Sequence, residues 1–549
     1  MEPTAEAPQQ GTRMMAAIAE NRRNILCIFP AYSPSFGTFE NAYALRGRTR
    51  AFMPPQGLLA IAAYLPKHWP VRFVDENIRP ARDDEIAWAD AVFLSGMHVQ
   101  RQHILAISDR AQRLGKPTVL GGPSVSGDPD RYGGVDYLHI GELGDATDRL
   151  IARLDRDPAR PTEQIRFTTR ERLPLADFPP PAYHLAELDR YFIGNVQFSS
   201  GCPYRCEFCD IPALYGRVPR LKSPAQVTSE LDTMLRHGNP GAVYFVDDNF
   251  IAHRRAAREL VAHLVEWQKR NRYPIEFACE ATLNIAKYPD LLAMMREAYF
   301  TTVFCGIETP ETDALHAIAK DHNADLPVFE AIDILNRFGL EVVSGIIMGL
   351  DTDTPETPRR ILDFIERSQI PMLTVNLLQA LPRTPLWDRL AAQGRLVEDP
   401  ARESNVEFLL PYETVVKGWR KVIADAYRPE ALYRRFAYNV ERTYPNRVKP
   451  PASPQRASFA NLRKGLRIMA NLVLRVGLIA DYRQVFWRMA WPLLREGRIE
   501  DVIHVGLVAH HLITFARDAA AGRENASFYS AKLSQRAAAA APFGERRRA

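Results

Sequence analysis

The sequence predicts an α/β protein made of two successive parallel β/α domains and a final α-helical region. Short apolar runs alternate with longer amphipathic ones up to about residue 154, which is a β/α rhythm. Six further strand-like runs, separated by helical stretches, follow between residues 191 and 400. The predicted boundaries are a disordered leader (1–23), a first β/α domain (24–154), a linker (155–190), a second β/α domain (191–400), a helical C-terminal region (401–530) and a disordered tail (531–549).

Composition narrows the class of protein. A formal net charge of +5 over 549 residues is small, and no basic stripe with interleaved aromatics occurs in the first two thirds of the chain, so we expect no nucleic-acid partner. Six cysteines, three of them in one loop, are typical of a reduced cytosolic metal protein. The N-terminus does not read as a secretion signal, and no uninterrupted apolar run is long enough to predict a spanning helix. We expect a cytoplasmic protein, with peripheral attachment at the inner face of the membrane left open.

The first domain has five strand candidates, and glycines follow two of them. An open parallel sheet binds ligands at the carboxyl ends of its strands, which predicts a ligand edge at Ser95, Gly121 and Gly122. His98 lies near the same edge and either faces a ligand or caps a loop. The strand candidates are Ile25–Phe29, Val71–Val74, Ala91–Leu94, Thr118–Leu120 and Tyr137–Ile140.

The proline-containing interval 155–190 predicts an extended linker, after which the second β/α domain begins. Polar residues end its strands at Asp247, Asp248, Glu280 and Glu308, where parallel barrels place their chemistry. The rival interpretation of the two aspartates is helix N-capping. Gly345 would let the fifth strand approach a ligand closely, although barrel packing explains a strand glycine equally well. The six strand candidates are Asn195–Ser199, Ala242–Val246, Ile275–Cys279, Thr302–Ile307, Val342–Ile347 and Leu373–Leu378.

Three cysteines lie within one short loop, at Cys202, Cys206 and Cys209. Their spacing lets three thiolates surround a single iron-sulfur cluster and leaves one iron without a protein ligand, whereas electron-transfer ferredoxins close the cluster with a fourth cysteine. A structural zinc site is the alternative, but zinc normally takes a fourth Cys or His, and no C-x-x-C partner exists elsewhere.

This loop resembles the C-x-x-x-C-x-x-C loop of the radical SAM superfamily. The resemblance implies a partial (β/α)6 barrel and a 4Fe-4S cluster whose open iron is chelated by S-adenosylmethionine (SAM). It also implies roles for residues that match the superfamily pattern: Phe208 and Gly345 at the adenine, Asp247 and Asp248 at the SAM amino group, and Glu280 and Glu308 at the ribose or the methionine moiety.

The first domain resembles the flavodoxin-like cobalamin-binding domain that precedes many radical SAM domains, which implies that Ser95, Gly121 and Gly122 contact cobalamin. A purely structural β/α domain is the alternative. One departure concerns the segment after the first strand, residues 29–37, which lacks the Asp-x-His-x-x-Gly motif of domains that place an imidazole on cobalt. The lower axial position is then empty or filled by water or another side chain.

Several segments together resemble the cobalamin-dependent radical SAM subfamily, and most closely the hopanoid C-2 methylases of bacteria, over about residues 24–530. The resemblance implies that one SAM methylates cobalamin, that a second yields a 5'-deoxyadenosyl radical, and that this radical abstracts hydrogen from an unactivated ring carbon. A flavodoxin or ferredoxin would supply electrons. The alternatives are a cyclase or oxidative enzyme of the same subfamily and, less favoured, a non-catalytic iron-sulfur or cobalamin protein. The segments are 53–59, 201–212, 244–250, 306–310 and 380–386.

The stretch from Arg456 to Asp518 is basic and aromatic, with ten Lys or Arg residues against five acidic ones. Such helices can lie on an anionic membrane surface or cover a lipid-sized pocket, which fits a polycyclic lipid substrate. A helical cap with a solvated basic face is the alternative.

Overall fold

The computed structural model describes residues 20–323, 326–451 and 458–526. The predicted tail 531–549 and most of the predicted leader 1–23 lie outside these residues. The chain divides into two compact units. The first contains the described residues up to Tyr32 together with Pro55–Ala186, and the second contains Ser33–Pro54 and the chain from Glu187 onward.

Fourteen strands and nineteen α-helices make up these units in the described part of the chain. The strands are β1 (Ile25–Phe29), β2 (Val71–Asp75), β3 (Ala91–Ser95), β4 (Thr118–Gly121), β5 (Tyr137–Ile140), β6 (Ile165–Thr168), β7 (Gly194–Val196), β8 (Ser199–Ser200), β9 (Arg220–Leu221), β10 (Ala242–Phe245), β11 (Glu276–Glu280), β12 (Phe300–Glu308), β13 (Glu341–Met348) and β14 (Met372–Leu377). The helices are α1 (Glu40–Arg46), α2 (Gln56–Tyr64), α3 (Asp83–Trp88), α4 (Arg101–Arg113), α5 (Pro123–Gly127), α6 (Asp145–Arg156), α7 (Ile211–Leu214), α8 (Pro224–His237), α9 (Arg254–Asn271), α10 (Pro289–Glu297), α11 (Thr312–Ala317), α12 (Val328–Arg337), α13 (Thr357–Ser368), α14 (Pro385–Ala392), α15 (Tyr412–Ala426), α16 (Pro429–Arg442), α17 (Phe459–Leu472), α18 (Arg483–Arg495) and α19 (Ile499–Ala520).

The first unit is a six-stranded parallel sheet in the order β2-β1-β3-β4-β5-β6. Alternate residues of β1 point into different cores: Ile25 and Cys27 join one hydrophobic cluster, and Leu26 and Ile28 join the other. Both faces of the sheet are therefore covered, as expected for a doubly wound parallel sheet whose strands read as continuous apolar runs. The first five strands follow the flavodoxin-like order and confirm the predicted fold class.

The predicted linker needs correction at its centre. Residues 165–168 form β6, which pairs in parallel with β5 from Tyr137 to Ile140. Only Phe167 of this strand is buried, so the segment lacks the apolar run that marked the other five strands. An edge strand needs only one neighbour and one covered face, which explains why its sequence is so polar.

The second unit contains a six-stranded parallel sheet in which the strands follow the order of the chain, β7-β10-β11-β12-β13-β14. This is the predicted partial barrel with six β/α repeats. Its first strand is shorter than predicted and ends at Val196, because the Asp247 carboxylate accepts the Phe198 N–H at 2.7 Å and takes it out of the ladder. The chain then forms β8, which pairs antiparallel with β9.

The C-terminal region is helical as predicted, and α19 is its central element. Helix α19 packs against α1, α15, α16, α17 and α18. Its buried His511 lies 3.1 Å from the Ser35 carbonyl oxygen and 3.2 Å from that of Phe36, which ties residues 33–54 to this helix. Although no uninterrupted apolar run occurs there, α19 is by length and mean hydropathy apolar enough to span a membrane, and 61% of that apolar window is buried inside the protein, as is usual for a core helix.

Candidate cluster and cofactor sites

The three-cysteine loop lies between β8 and α7 and is fixed by backbone contacts on both sides. The Gly201 N–H donates to Asp248 Oδ2 at 2.7 Å, and the Cys202 N–H donates to the Gly216 carbonyl at 3.2 Å. Further along, the Glu207 N–H donates to the Ile318 carbonyl at 3.0 Å. These contacts position the loop, and all three of its cysteines are half-buried.

The thiols match the chemistry of an iron-sulfur cluster. Burial raises the pKa of Cys202 to about 11 and raises those of Cys206 and Cys209, so coordination to metal rather than the protein environment must deprotonate them. Within the described residues, no three His, Cys, Asp or Glu side chains converge closely enough to chelate one metal ion. A cluster differs from a single ion because each thiolate binds a different iron.

A buried ion pair lies beside this loop. Lys320 Nζ donates to Glu308 Oε1 at 2.5 Å, and both side chains are almost fully buried. The same ammonium lies 5.6 Å from the centroid of the Phe208 ring, within cation–π range. Burial lowers the pKa of Lys320, but the charges of Glu308 and of Cys206 outweigh this effect and the net pKa is raised. A permanent positive charge therefore lies next to the cysteine loop.

Two glycines make room around this pair. A Cβ on Gly306 would overlap Glu308 Oε1 and lie 2.8 Å from Lys320 Nζ. On the neighbouring strand, a Cβ on Gly345 would lie 3.3 Å from Thr374 Oγ1. Glu308 itself has a left-handed backbone with φ 65°, which costs a non-glycine residue roughly 1–3 kcal/mol and is characteristic of functional sites. The absence of a side chain at Gly306 thus makes room for the Glu308–Lys320 pair itself.

The two aspartates that follow β10 hold the chain rather than cap a helix. Asp247 accepts the Phe198 N–H and the Ser199 hydroxyl, at 2.7 and 2.8 Å, and burial raises its pKa to about 7. Asp248 accepts the Gly201 N–H, as described above. The next helix, α9, is capped by His253 instead. Both aspartates therefore position the cysteine loop, and their predicted contact with the SAM amino group stays a prediction.

Glu280 lies at the carboxyl end of β11. The Tyr244 hydroxyl donates to its Oε1 at 3.1 Å, and burial raises the pKa of Glu280 to about 7. In the loop that follows β10, the Asn249 side-chain Nδ2 is buried with no hydrogen-bond partner among the described residues. An unsatisfied buried donor costs free energy unless a ligand satisfies it. Its position favours a polar ligand group at this end of the sheet.

Arg389 of α14 forms an ion pair with a carboxylate inside the cysteine loop. Arg389 donates to Glu207 at 2.5 and 3.0 Å and to Asp351 at 2.6 Å, and Asp351 also pairs with Arg395 at 2.6 Å. Glu207 and Phe208 line a cavity of about 230 Å³ together with Asp351 and Arg389. The cavity gives the Phe208 ring an open side, as the predicted adenine contact needs, and that contact stays a prediction.

Sequence reasoning missed Lys320 and Arg389. Lys320 lies in a short irregular segment after α11, where no periodicity or motif marks it, and it reaches Glu308 only through the fold. Arg389 lies on a helix face whose charge pattern looks like ordinary solvation. A carboxylate inside the cysteine loop, Glu207, was the one available signal that a cationic partner must exist.

In the first unit, the predicted ligand edge is narrow and built around glycine. Gly122 has φ 93°, and a Cβ there would overlap the Ser95 hydroxyl. His98 has its Nδ1 3.5 Å from the Ser124 hydroxyl, while its Nε2 is buried with no partner in the described part of the chain. Burial lowers the pKa of His98, so the ring is neutral at neutral pH. The close backbone at Gly122 and the open imidazole nitrogen fit a large polar cofactor at this edge.

Comparisons with known proteins agree with this geometry. The B12 binding domain family matches residues 44–151, the radical SAM superfamily matches residues 196–365, and a domain of unknown function (DUF4070) matches residues 384–525. A hopanoid C-2 methylase from Rhodopseudomonas palustris (strain TIE-1) is 57% identical over 524 residues, which is 95% of this chain and 99% of the relative. The chain belongs to the hopanoid C-2 methylase family.

Solved structures support the fold of this family member. The cobalamin-dependent radical enzyme OxsB, with aqua-cobalamin and S-adenosylmethionine bound, superposes with a TM-score of 0.56 at 14% identity, covering 91% of this chain and 80% of its own. The radical SAM methyltransferase TsrM from Kitasatospora setae superposes with a TM-score of 0.51 at 18% identity, covering 69% and 80%. The predicted order of cobalamin-binding domain, radical SAM barrel and helical region is thereby confirmed.

As a member of the hopanoid C-2 methylase family, the chain is a cobalamin-dependent radical SAM methyltransferase that uses a 4Fe-4S cluster, SAM and cobalamin. On the radical SAM side, Cys202, Cys206 and Cys209 would hold the cluster, and the Glu308–Lys320 pair would offer charged groups to the zwitterionic amino-acid end of SAM. On the cobalamin side, the close turn at Ser95 and Gly122 would receive the corrin edge.

Proposed function

We propose that this chain adds a methyl group to C-2 of hopanoids. The observation that carries the proposal is the identity of 57% to a hopanoid C-2 methylase, which extends over 95% of the chain and so includes the C-terminal helical region as well as the two cofactor domains. Cofactor domains are common to many radical SAM enzymes, whereas the region outside them is where substrate preference is set.

When bound, the cluster, SAM and cobalamin supply a radical that removes hydrogen from an unactivated carbon and a methyl group that replaces it. The chain's own residues fix the position of the cysteine loop and of the charged groups beside it. Asp247 and Asp248 fix the backbone that leads into the cysteine loop, and Arg389 fixes Glu207 inside it. The Glu308–Lys320 ion pair is buried, and electrostatic contacts are stronger away from bulk water than in it.

Two further parts of the function are proposed with it. We infer a flavodoxin or ferredoxin as the electron donor, because each reductive cleavage of SAM consumes one electron that the chain does not carry. We also infer that the protein works in the cytoplasm at the inner face of the membrane, since a polycyclic lipid is found in bilayers and the C-terminal helices are basic and apolar.

The test is a product analysis. The protein, anaerobically reconstituted with iron, sulfide and cobalamin, is incubated with SAM, reduced flavodoxin and a hopanoid that lacks a ring methyl group. We expect a product heavier by one methyl group and methylated at C-2, and no product from the Cys202→Ala variant. A product that is cyclised or oxidised without gaining methyl would replace this proposal with the cyclase or oxidative alternative.

A further inference from the structure

The C-terminal helices expose an unusual concentration of large apolar side chains. Eight of the twelve large apolar side chains that are exposed in the described residues lie between positions 459 and 499. Leu466 of α17 is 62% exposed, and Ile479, which ends the π-helical segment Val473–Ile479 that follows α17, is 68% exposed. Isolated exposed leucines need no explanation, but a cluster of this kind marks an interaction surface.

These side chains share a face of their helix. Phe459, Leu462 and Leu466 recur at intervals of three and four residues, the spacing of one face of α17. The opposite face carries Ile468 and Leu472, which are buried in the protein. Helix α17 is therefore apolar on both sides, and only one side is covered by the described residues.

The exposed sides of α17, of residues 473–479 and of α18 also carry positive charge without ion-pair partners among the described residues. Arginines 463, 467, 475, 483, 488 and 495 are exposed, and none forms an ion pair with another described residue. The nearby acids are mostly engaged by other arginines: Asp481 pairs with Arg517 at 2.9 Å, and Asp501 pairs with Arg498 at 2.7 Å. The face that remains therefore combines apolar side chains with net positive charge.

We propose that the exposed sides of α17, of residues 473–479 and of α18 together form a docking surface for an anionic lipid bilayer, with Leu462, Leu466, Leu474, Leu478, Ile479 and Trp491 as its apolar part and the six arginines as its charged part. Apolar side chains enter the boundary between headgroups and acyl chains, and arginines contact lipid phosphates, as in interfacial amphipathic helices. Trp491 is 53% exposed and Arg495 lies over its ring, an arrangement suited to the headgroup region. A protein partner would be expected to offer acidic side chains instead, and nothing in the chain selects one.

The proposal rests on the proposed function only for its purpose, which is access to a lipid substrate. Lipid attachment can be measured without turnover, so the docking surface and the proposed function can be tested independently of each other. Full-length protein that binds vesicles but does not methylate a hopanoid would remove the proposed function and leave the docking surface. Protein that methylates a detergent-dispersed hopanoid but never binds vesicles would remove the docking surface alone.

The experiment is co-sedimentation of the full-length, cluster-loaded protein with vesicles of phosphatidylcholine, with and without phosphatidylglycerol, at low and high salt. We expect binding to the anionic vesicles that weakens as salt increases. Replacing three arginines by glutamine, as Arg463→Gln, Arg467→Gln and Arg475→Gln together, should weaken that binding on the order of 100-fold, because each basic residue near the surface contributes a factor of roughly five.

A second variant tests the apolar part: Leu462→Gln, Leu466→Gln and Leu478→Gln together should weaken binding to both kinds of vesicle. The matched controls are exposed residues elsewhere, Leu114→Gln with Leu409→Gln, and Arg255→Gln with Arg270→Gln and Arg442→Gln. Iron content and circular dichroism check that each variant is folded. The proposal would be overturned if the two surface variants bound vesicles as well as the unaltered protein does, or if the unaltered protein bound no anionic vesicles. In the second case, a dimer that the leucine variant dissociates would identify a second copy of the chain as the partner of this surface.

Discussion

Lys320 donates to Glu308 at 2.5 Å and lies 5.6 Å from the centre of the Phe208 ring, so one buried ammonium joins a strand end of the barrel to the cysteine loop. Both charges are buried, and a buried ion pair is retained only where its geometry repays desolvation or where it has a further use. From its position beside the three cysteines we expect such a use, since a fixed positive charge near a cluster stabilises the additional electron of the reduced state.

We expect Lys320→Met to destabilise the protein by ~3 kcal/mol, because it leaves the Glu308 carboxylate buried and unpaired. The double variant Glu308→Gln with Lys320→Met removes both charges and should recover most of that stability. It should still show a more negative cluster potential and weaker SAM binding, measured by potentiometric titration and equilibrium binding. Lys320→Arg keeps the charge and is the matched control. A double variant that is stable and has the native potential would reduce the pair to a structural element.

Replacing Cys202, Cys206 or Cys209 by Ala should abolish the cluster, since three thiolates are the minimum that this loop provides. Iron content and visible absorbance after anaerobic reconstitution measure it. The buried Cys305→Ala is the control and should load normally. If all three loop variants kept a full cluster, the radical SAM account would have to be abandoned.

Gly122→Ala should lower the cobalamin content of the purified protein. The added Cβ overlaps the Ser95 hydroxyl and forces alanine into φ 93°, an overpacking and backbone cost of ~1–3 kcal/mol at the ligand edge. Gly133→Ala has nothing within 4 Å of its new Cβ and serves as the control. Iron content should be unchanged in both. Native cobalamin content in the Gly122→Ala protein would place cobalamin somewhere other than this turn.

The axial position of bound cobalamin provides a separate test. Because the segment after β1 lacks the histidine motif, we expect the electron paramagnetic resonance spectrum of the cob(II)alamin form to show no nitrogen coupling from the protein. His98→Ala should leave that spectrum unchanged. A nitrogen splitting that disappears in His98→Ala would instead assign the unpartnered Nε2 of His98 to cobalt.

Acid should weaken the second unit through His511. Burial lowers its pKa from 6.5 to about 4, so the folded protein keeps this ring neutral while the unfolded chain takes up a proton below its normal pKa. The stability that neutral His511 contributes is complete above about pH 6.5 and is lost progressively as the pH falls toward 4, by up to ~3 kcal/mol. Urea unfolding at several pH values measures the slope. A His511→Asn variant should have a shallower slope, and an equal slope in both proteins would contradict this assignment.

Most of the fold was predictable because buried parallel strands are recognisable in the sequence by their composition. Strands such as Ile25–Phe29 and Glu341–Met348 are covered on both faces, so they appear in the sequence as largely apolar runs. Strand β6 was missed for the opposite reason, since Ile165–Thr168 lies at the edge of its sheet and only Phe167 is buried.

The candidate site was predictable only where its functional residues lie close together in the sequence or at the end of a recognisable strand. The cysteine loop and the strand-end carboxylates have such positions, whereas Lys320 reaches Glu308 from a segment without a pattern. The hydrogen bonds that Asp247 accepts from Phe198 and Ser199 could not be predicted either, because the fold brings together residues that are far apart in sequence. Contacts of this kind follow from tertiary structure and not from propensity.

The most direct test of radical methylation at C-2 follows the hydrogen atom that is removed from that carbon. A hopanoid carrying deuterium at C-2 is incubated with the reconstituted protein, cobalamin, a reductant and SAM labelled in its methyl group, and the products are analysed by mass spectrometry. We predict deuterium in the 5'-deoxyadenosine and one labelled methyl group at C-2 of the same hopanoid. Methylated hopanoid formed without deuterium in 5'-deoxyadenosine, or 5'-deoxyadenosine formed while the hopanoid stays unmethylated, would contradict it.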